Sequence, residues 1–133
     1  MQVYEMRIPS VERDMDLVRT LLMALAADQN LNATKWIRYE PKDLGVPDKS
    51  DEEVGYHIGL LTDAGFIKGG PVGFELIPPV LQLTWDGHEF LDNIRDQDIW
   101  AKTKRRLMGL PSVGLRIVAQ IAEAEIRQKL GLP

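Results

Sequence analysis

Apolar side chains recur every three or four residues between Met15 and Leu25, which is the spacing of one buried helix face. Acidic residues stand near the start of this segment, where they suit the positive end of a helix dipole. The pattern predicts a first helix that has Ser10 or Asp14 as its N-cap and ends before Asn30.

Two shorter segments alternate between apolar and polar residues, as strands do. Residues 3–8 are predicted to form a short strand. Residues 34–41, which carry Trp36 and Ile37, are predicted to form a second strand that Pro41 ends.

The segment "SDEEVGYHIGLLTDAGFIKGG" begins with a capping box, in which Ser50 is followed three residues later by Glu53. The apolar spacing that follows predicts a second helix with Gly65 as its C-cap. "FIK" and "VLQLTW" then indicate two strands. The glycine- and proline-rich segment "GGPVGFELIPP" between them predicts the tip of a hairpin.

Two further helices are expected after the hairpin. Thr84 is the predicted N-cap of one long helix over residues 85–107, which the segment "MGLP" ends. A last helix is predicted over residues 111–130. Its wide apolar stripe indicates either a core position or an interface between two copies of the chain.

The order helix, strand, helix, hairpin, helix, helix predicts an α+β fold. It is typical of a winged helix-turn-helix-like domain with a β-hairpin wing, here followed by two C-terminal helices. We expect a single domain over residues 1–133, with the winged-helix core at residues 13–84. The helix after Ser50 would hold the recognition-helix position.

Composition narrows the class of protein. The chain has 133 residues, of which 44% are hydrophobic, so one domain with its own core is expected. The absence of cysteine excludes disulfides, thiolate zinc sites and cysteine nucleophiles, and it fits a cytoplasmic protein. No secretion signal and no apolar run of about 20 residues is found, so no membrane association is expected. A net charge of −4 argues against an obligate nucleic-acid binder, although a local basic patch can still serve.

Three segments carry a family resemblance: "RDMDLVRTLL", "YHIGLLTDAGFI" and "LTWDGHEFLDNIRDQDIWAKTK". Together they resemble a family of uncharacterised bacterial and prophage proteins, known as a domain of unknown function. The resemblance covers Arg13 to Lys104. It implies a winged-helix fold and a phage or mobile-element origin, and it implies no catalytic residue or cofactor.

The acidic segment after Thr84 suggests a metal or general-base site, because His88 and Asp92 are neighbours at four-residue spacing on a helix. A metal site needs three or four converging ligands, however. The same residues suit a helix start, where Thr84 caps the N–H of Gly87 and acidic residues favour the dipole. Gly87 would also let the helix and the preceding strand pack closely. We favour this structural interpretation, and we expect no enzyme activity, metal or cofactor.

Tyr56 and His57 lie on the recognition helix, where they would contact base edges or a protein partner. In the alternative interpretation, His57 packs against the first helix and Tyr56 lies at the edge. The helix carries four acidic residues and no Lys or Arg, and only Lys49 and Lys68 flank it. This charge favours the packing interpretation.

A basic cluster lies near the end of the predicted long helix. It would bind nucleic acid or an acidic protein face, or it is the solvated cationic end of a helix. Its members are Lys102, Lys104, Arg105 and Arg106.

These observations leave two main functional hypotheses. The first is a phage-type, DNA-binding transcription regulator, and the second is a protein-binding adaptor or inhibitor on the same scaffold. A homodimer is expected in both. The candidate contact residues for nucleic acid or partner are Lys49, Tyr56, His57, Lys68, Lys102, Lys104, Arg105 and Arg106.

Overall fold

The computed structural model describes residues 12–71, 75–110 and 113–133 and shows a mixed α+β architecture. Its elements in chain order are α1 (Met15–Ala27), a 3-10 helix (Pro41–Leu44), α2 (Asp51–Asp63), β1 (Ile67–Gly69), β2 (Val80–Leu83), α3 (Trp85–Ile94), α4 (Gln97–Leu107) and α5 (Leu115–Lys129). β1 and β2 form a two-stranded antiparallel hairpin. The predicted α+β class is confirmed, and the arrangement is compatible with a winged-helix-like fold. The strand predicted at residues 3–8 lies outside the described residues.

α1 begins at its N-cap Asp14, whose carboxylate accepts a hydrogen bond from the backbone N–H of Leu17 at 3.1 Å. Its apolar face is buried as the spacing predicts. The buried residues of this face are Leu17, Val18, Leu21, Leu22 and Leu25.

Local signals fix both ends of α2. The Ser50 hydroxyl accepts a hydrogen bond from the N–H of Glu53, and the Glu53 carboxylate accepts one from the N–H of Ser50, so the predicted capping box is confirmed. At the other end the N–H of Phe66 bonds to the carbonyl of Leu61, and Gly65 has φ +83°. This is a Schellman ending, which favours glycine because the left-handed conformation strains other residues.

The strand predicted over residues 34–41 is wrong in extent. Within residues 34–41 only Ile37 pairs with the hairpin, through two backbone hydrogen bonds to Val80 of 2.8 and 2.9 Å. The pairing does not extend along the chain because Pro41 begins the 3-10 helix soon afterwards. Tyr39, which lies between them, is buried, and its hydroxyl donates a hydrogen bond to the Asp28 carboxylate.

The single long helix predicted over residues 85–107 is also wrong, because the chain breaks into α3 and α4. A continuous helix would join the N–H groups of Asp98 and Ile99 to the carbonyls of Ile94 and Arg95. Both N–H groups bond instead to the carboxylate of Asp96, which caps α4. Both carbonyls accept hydrogen bonds from the guanidinium of Arg19 on α1, each at 2.8 Å.

The hairpin and α3 meet closely at Gly87. A Cβ atom there would overlap the backbone carbonyl of Phe66, so this position requires glycine. The Thr84 hydroxyl accepts a hydrogen bond from the N–H of Gly87 at 3.0 Å, which confirms Thr84 as the N-cap of α3. Phe66 and Phe90 then stack beneath the junction with ring centroids 4.8 Å apart.

α5 begins at Leu115, after Gly114 at its N-cap, rather than near residue 111. It packs against α3 and α4 through Leu115, Val118 and Ala122, which are buried. Its opposite face is open to solvent along the whole helix.

Candidate functional site

The outer face of α2 is acidic and carries one large aromatic side chain. Asp51, Glu52 and Asp63 are exposed, and Glu53 is half-exposed. Tyr56 lies among these acidic residues and is 42% exposed. The rings of Tyr56 and His57 are nearly perpendicular, with their centroids 5.3 Å apart. We call these five residues, Asp51, Glu52, Glu53, Tyr56 and Asp63, the α2 face.

His57 lies beneath the α2 face and is fully buried. Its Nε2 atom accepts a hydrogen bond from the backbone N–H of Asp14 at 2.8 Å. Its Nδ1 atom lies 2.7 Å from the carbonyl oxygen of Glu53, which can only accept, so Nδ1 carries the proton. His57 therefore joins the start of α1 to α2, and its side chain is not available to a base or a partner.

The two lysines that flank α2 differ in their surroundings. Lys49 is half-buried, and its amine lies 3.8 Å from the Asp14 carboxylate. Lys68 is exposed on β1, and it forms no ion pair with any residue in the part of the chain that the structure describes. Only Lys68 therefore offers an uncompensated positive charge on the hairpin.

Most of the basic cluster on α4 is neutralised by acidic neighbours. Lys102 pairs with Asp98 at 3.2 Å, Lys104 with Asp16 at 2.8 Å, and Arg106 with Glu125 at 3.2 Å. Arg105 is exposed, and it has no ion pair within residues 12–71, 75–110 and 113–133. Lys104 and Arg106 thus join α4 to α1 and α5, while their side chains stay 40% and 50% exposed.

Asp16 on α1 forms a contact with α4 that the sequence did not reveal. Its carboxylate accepts hydrogen bonds from Lys104 and from the indole N–H of Trp100, both at 2.8 Å. Both hydrogen bonds lower the pKa of the Asp16 carboxyl below its usual value, and the bond from Lys104 has the larger effect. No local pattern marks this contact, because Asp16 and Trp100 are 84 residues apart.

A groove of about 540 Å³ adjoins the α2 face and was not predicted either. It runs between the start of α1, the outer side of α2 and three residues near the end of α4 and the start of α5, Leu107, Leu110 and Val113. Apolar side chains contribute to its lining, but polar atoms make up more of the exposed lining, and the charged residues Glu12 and Arg13 lie just before α1. The lining residues are Glu12, Arg13, Met15, Tyr56, Leu60, Leu107, Leu110 and Val113.

The region around His88 has the features of a helix start. His88 is exposed on α3, and Asp92 pairs loosely with Arg95 at 3.8 Å. Across the described residues, no three His, Asp or Glu side chains lie close enough to share a metal ion. No helix in the same residues has the length and apolar run needed to cross a membrane.

Comparison with known proteins places the chain in a family. Residues 12–112 match the family described as "Hypothetical protein (DUF2513)", and the chain belongs to this family. A Haemophilus influenzae protein named "Uncharacterized protein" is 29% identical over 127 residues, which cover 90% of this chain and 99% of that protein. No solved structure matches the chain significantly.

Proposed function

We propose that this chain is a small, non-enzymatic winged-helix-like protein that binds a protein partner through the α2 face. The observation that carries the proposal is the charge of that face. In a winged-helix-like arrangement α2 would hold the recognition-helix position, and α2 exposes acidic side chains around Tyr56. Acidic groups at this position would be repelled by DNA phosphates, whereas they complement a basic protein surface.

The groove beside Tyr56 supports the same proposal. Tyr56, Leu60, Leu107 and Leu110 are among its lining residues, so an apolar side chain of the partner can contact them. Interfaces with proteins commonly combine an aromatic anchor, an apolar pocket and a charged rim. The α2 face supplies the aromatic anchor and the charged rim, and Leu60, Leu107 and Leu110 in the groove supply apolar contacts.

Capture from a nuclease-treated bacterial lysate tests this proposal, with wild type, Tyr56→Ala and Met23→Ala as baits. Met23 is a matched control, since it is 37% exposed on α1 and lies outside the α2 face. We expect a protein that wild type and Met23→Ala retain and that Tyr56→Ala loses, measured by quantitative mass spectrometry. Equal capture by all three baits would contradict a role for the α2 face.

DNA binding by a transcription regulator is the second candidate, and one observation favours it. Lys68 on the hairpin and Arg105 on α4 are exposed and form no ion pair among the described residues. A wing lysine can contact a phosphate even where the recognition helix is acidic. Such binding would weaken steeply with salt, which a packed apolar interface would not.

A phage or prophage origin, a cytoplasmic location and a homodimer belong to the same proposal. The origin rests on the family resemblance, and the location rests on the cysteine-free composition. The homodimer is supported by exposed apolar side chains around α5.

A further inference from the structure

His57 is a titratable side chain that has no access to solvent. Both of its ring nitrogens bond to the main chain. Nε2 accepts a hydrogen bond from the N–H of Asp14 at 2.8 Å, and Nδ1 donates one to the carbonyl of Glu53 at 2.7 Å. The first bond joins α2 to the N-cap of α1, and we call it the His57–Asp14 contact. Only the neutral ring with its proton on Nδ1 can make both bonds.

A protonated ring is incompatible with this arrangement. The imidazolium carries a hydrogen on each nitrogen and has no acceptor, so its Nε2–H would face the N–H of Asp14, with the two nitrogens 2.8 Å apart. The Asp14 N–H would lose its partner, and the ring would carry a buried charge with no acceptor for its second hydrogen. Uptake of a proton by His57 therefore requires the start of α1 to move.

The charged groups around His57 make their own interactions. On α1, the Asp14 carboxylate caps the helix and lies 3.8 Å from the amine of Lys49. On α2, the Glu53 carboxylate belongs to the capping box. On β1, which also packs against α2, Lys68 is exposed. Among the described residues, no carboxylate forms an ion pair with the His57 ring, so no acidic group is in place to receive its charge.

The His57–Asp14 contact also fixes one wall of the groove. Asp14 lies between Arg13 and Met15, which both line the groove. Tyr56 lines it too, and the Tyr56 ring packs nearly perpendicular to the ring of His57. Loss of the contact would therefore change the groove at the start of α1 and at Tyr56.

We infer that the His57–Asp14 contact is a pH-sensitive switch, which joins α1 to α2 while the ring is neutral and opens when the ring takes up a proton. Histidine is the side chain whose charge ordinarily changes between about pH 5 and 8. The contact is therefore expected to be closed at about pH 7.5 and to open as the pH falls to about 4.5. The switch acts within the chain, whether or not the groove binds a partner.

Nuclear magnetic resonance of the full chain tests the switch, with the Asp14 amide and the His57 ring nitrogens as probes. At about pH 7.5 we expect the ring shifts of the neutral form that is protonated on Nδ1. As the pH falls, the ring should titrate, and the signals of the Asp14 amide, Met15 and Leu60 should shift with the same midpoint. His88→Gln is the control, because His88 is exposed on α3, and its Asp14 amide should titrate as in wild type.

A His57→Gln variant removes the titrating group and keeps an acceptor. Its side-chain carbonyl can accept the N–H of Asp14, and an amide takes up no proton in this pH range. We expect its Asp14 amide signal to stay constant over the range in which that of wild type shifts. If this variant does not fold, the wild-type titration still decides, because the ring and the amide are observed in the same molecule.

Three results would overturn the switch. The first is a His57 ring that stays neutral down to about pH 4.5. The second is a ring that titrates while the Asp14 amide signal stays constant. The third is a shift of that amide signal which His57→Gln retains, since it would assign the pH dependence to a carboxylate instead.

Thermal stability provides an independent check. The folded chain excludes a proton that the unfolded chain binds at His57, so this residue makes stability fall as the pH falls. Circular dichroism should therefore show a larger drop in melting temperature for wild type than for His57→Gln between about pH 7.5 and 4.5. An equal drop in the two proteins would contradict the switch.

Discussion

At the scale of single residues, two glycines let the backbone pack more closely than any side chain would allow. A Cβ atom at Gly55 would overlap the carbonyl of Leu76, and one at Gly87 would overlap the carbonyl of Phe66. Gly55 lies in α2 and Gly87 in α3, so both helices press against the segments that form the hairpin. The sequence predicted the close packing at Gly87. It did not predict that at Gly55, because the contact with Leu76 spans the hairpin connection.

Replacing glycine by alanine at two helical positions separates the steric requirement for glycine from its low helix propensity. We expect Gly87→Ala to lower the free energy of unfolding by about 3 kcal/mol, since its Cβ meets backbone that cannot easily move. Gly59→Ala is the matched control, because Gly59 lies inside α2 with no atom within 4 Å of the added Cβ. It should raise stability by roughly 0.5–1 kcal/mol. Urea denaturation measures both, and equal effects would contradict the close packing at Gly87.

At the scale of elements, the sequence predicted the helix ends that depend on neighbouring residues. It did not predict the helix break that depends on a contact between distant parts of the chain. The capping box of α2 and the cap of α3 involve residues three apart, so the sequence shows them directly. The break between α3 and α4 depends partly on Arg19, which contacts Ile94 from 75 residues away. One local signal was available: the apolar residues Ile94 and Trp100 are six apart, which does not fit one continuous helix face.

The contact between α1 and α4 makes a prediction about pH. The pKa of the Asp16 carboxyl is lower in the folded chain than the usual value near 3.9. The ionised carboxylate therefore stabilises the fold above about pH 4, and this stabilisation is lost as the pH falls through the lowered pKa. We expect Asp16→Asn to lower the melting temperature at pH 7, and we expect its difference from wild type to shrink progressively as pH falls below about 4. Asp92→Asn is the control, since Asp92 pairs only loosely with Arg95 on a neighbouring turn. A pH-independent loss in Asp16→Asn would contradict the role of its charge.

At the scale of the whole molecule, the distribution of charge bears most on function. The sequence showed an acidic α2 and a basic cluster on α4, and both lie where they were expected. It did not show that Lys104 and Arg106 have partners on α1 and α5, because those pairs form only when the helices pack. The packed molecule therefore offers DNA less positive charge than the sequence suggested, while its acidic α2 face stays open to a partner.

The choice between a protein-binding and a DNA-binding function is tested most directly by fluorescence anisotropy. A labelled random-sequence DNA duplex is titrated with the purified protein at low and at moderate salt. A protein-binding α2 face predicts no rise in anisotropy at either salt concentration, for wild type and for Lys68→Glu alike. A rise at low salt that disappears at moderate salt and is lost in Lys68→Glu would contradict it. That result would establish the hairpin as a DNA-binding wing.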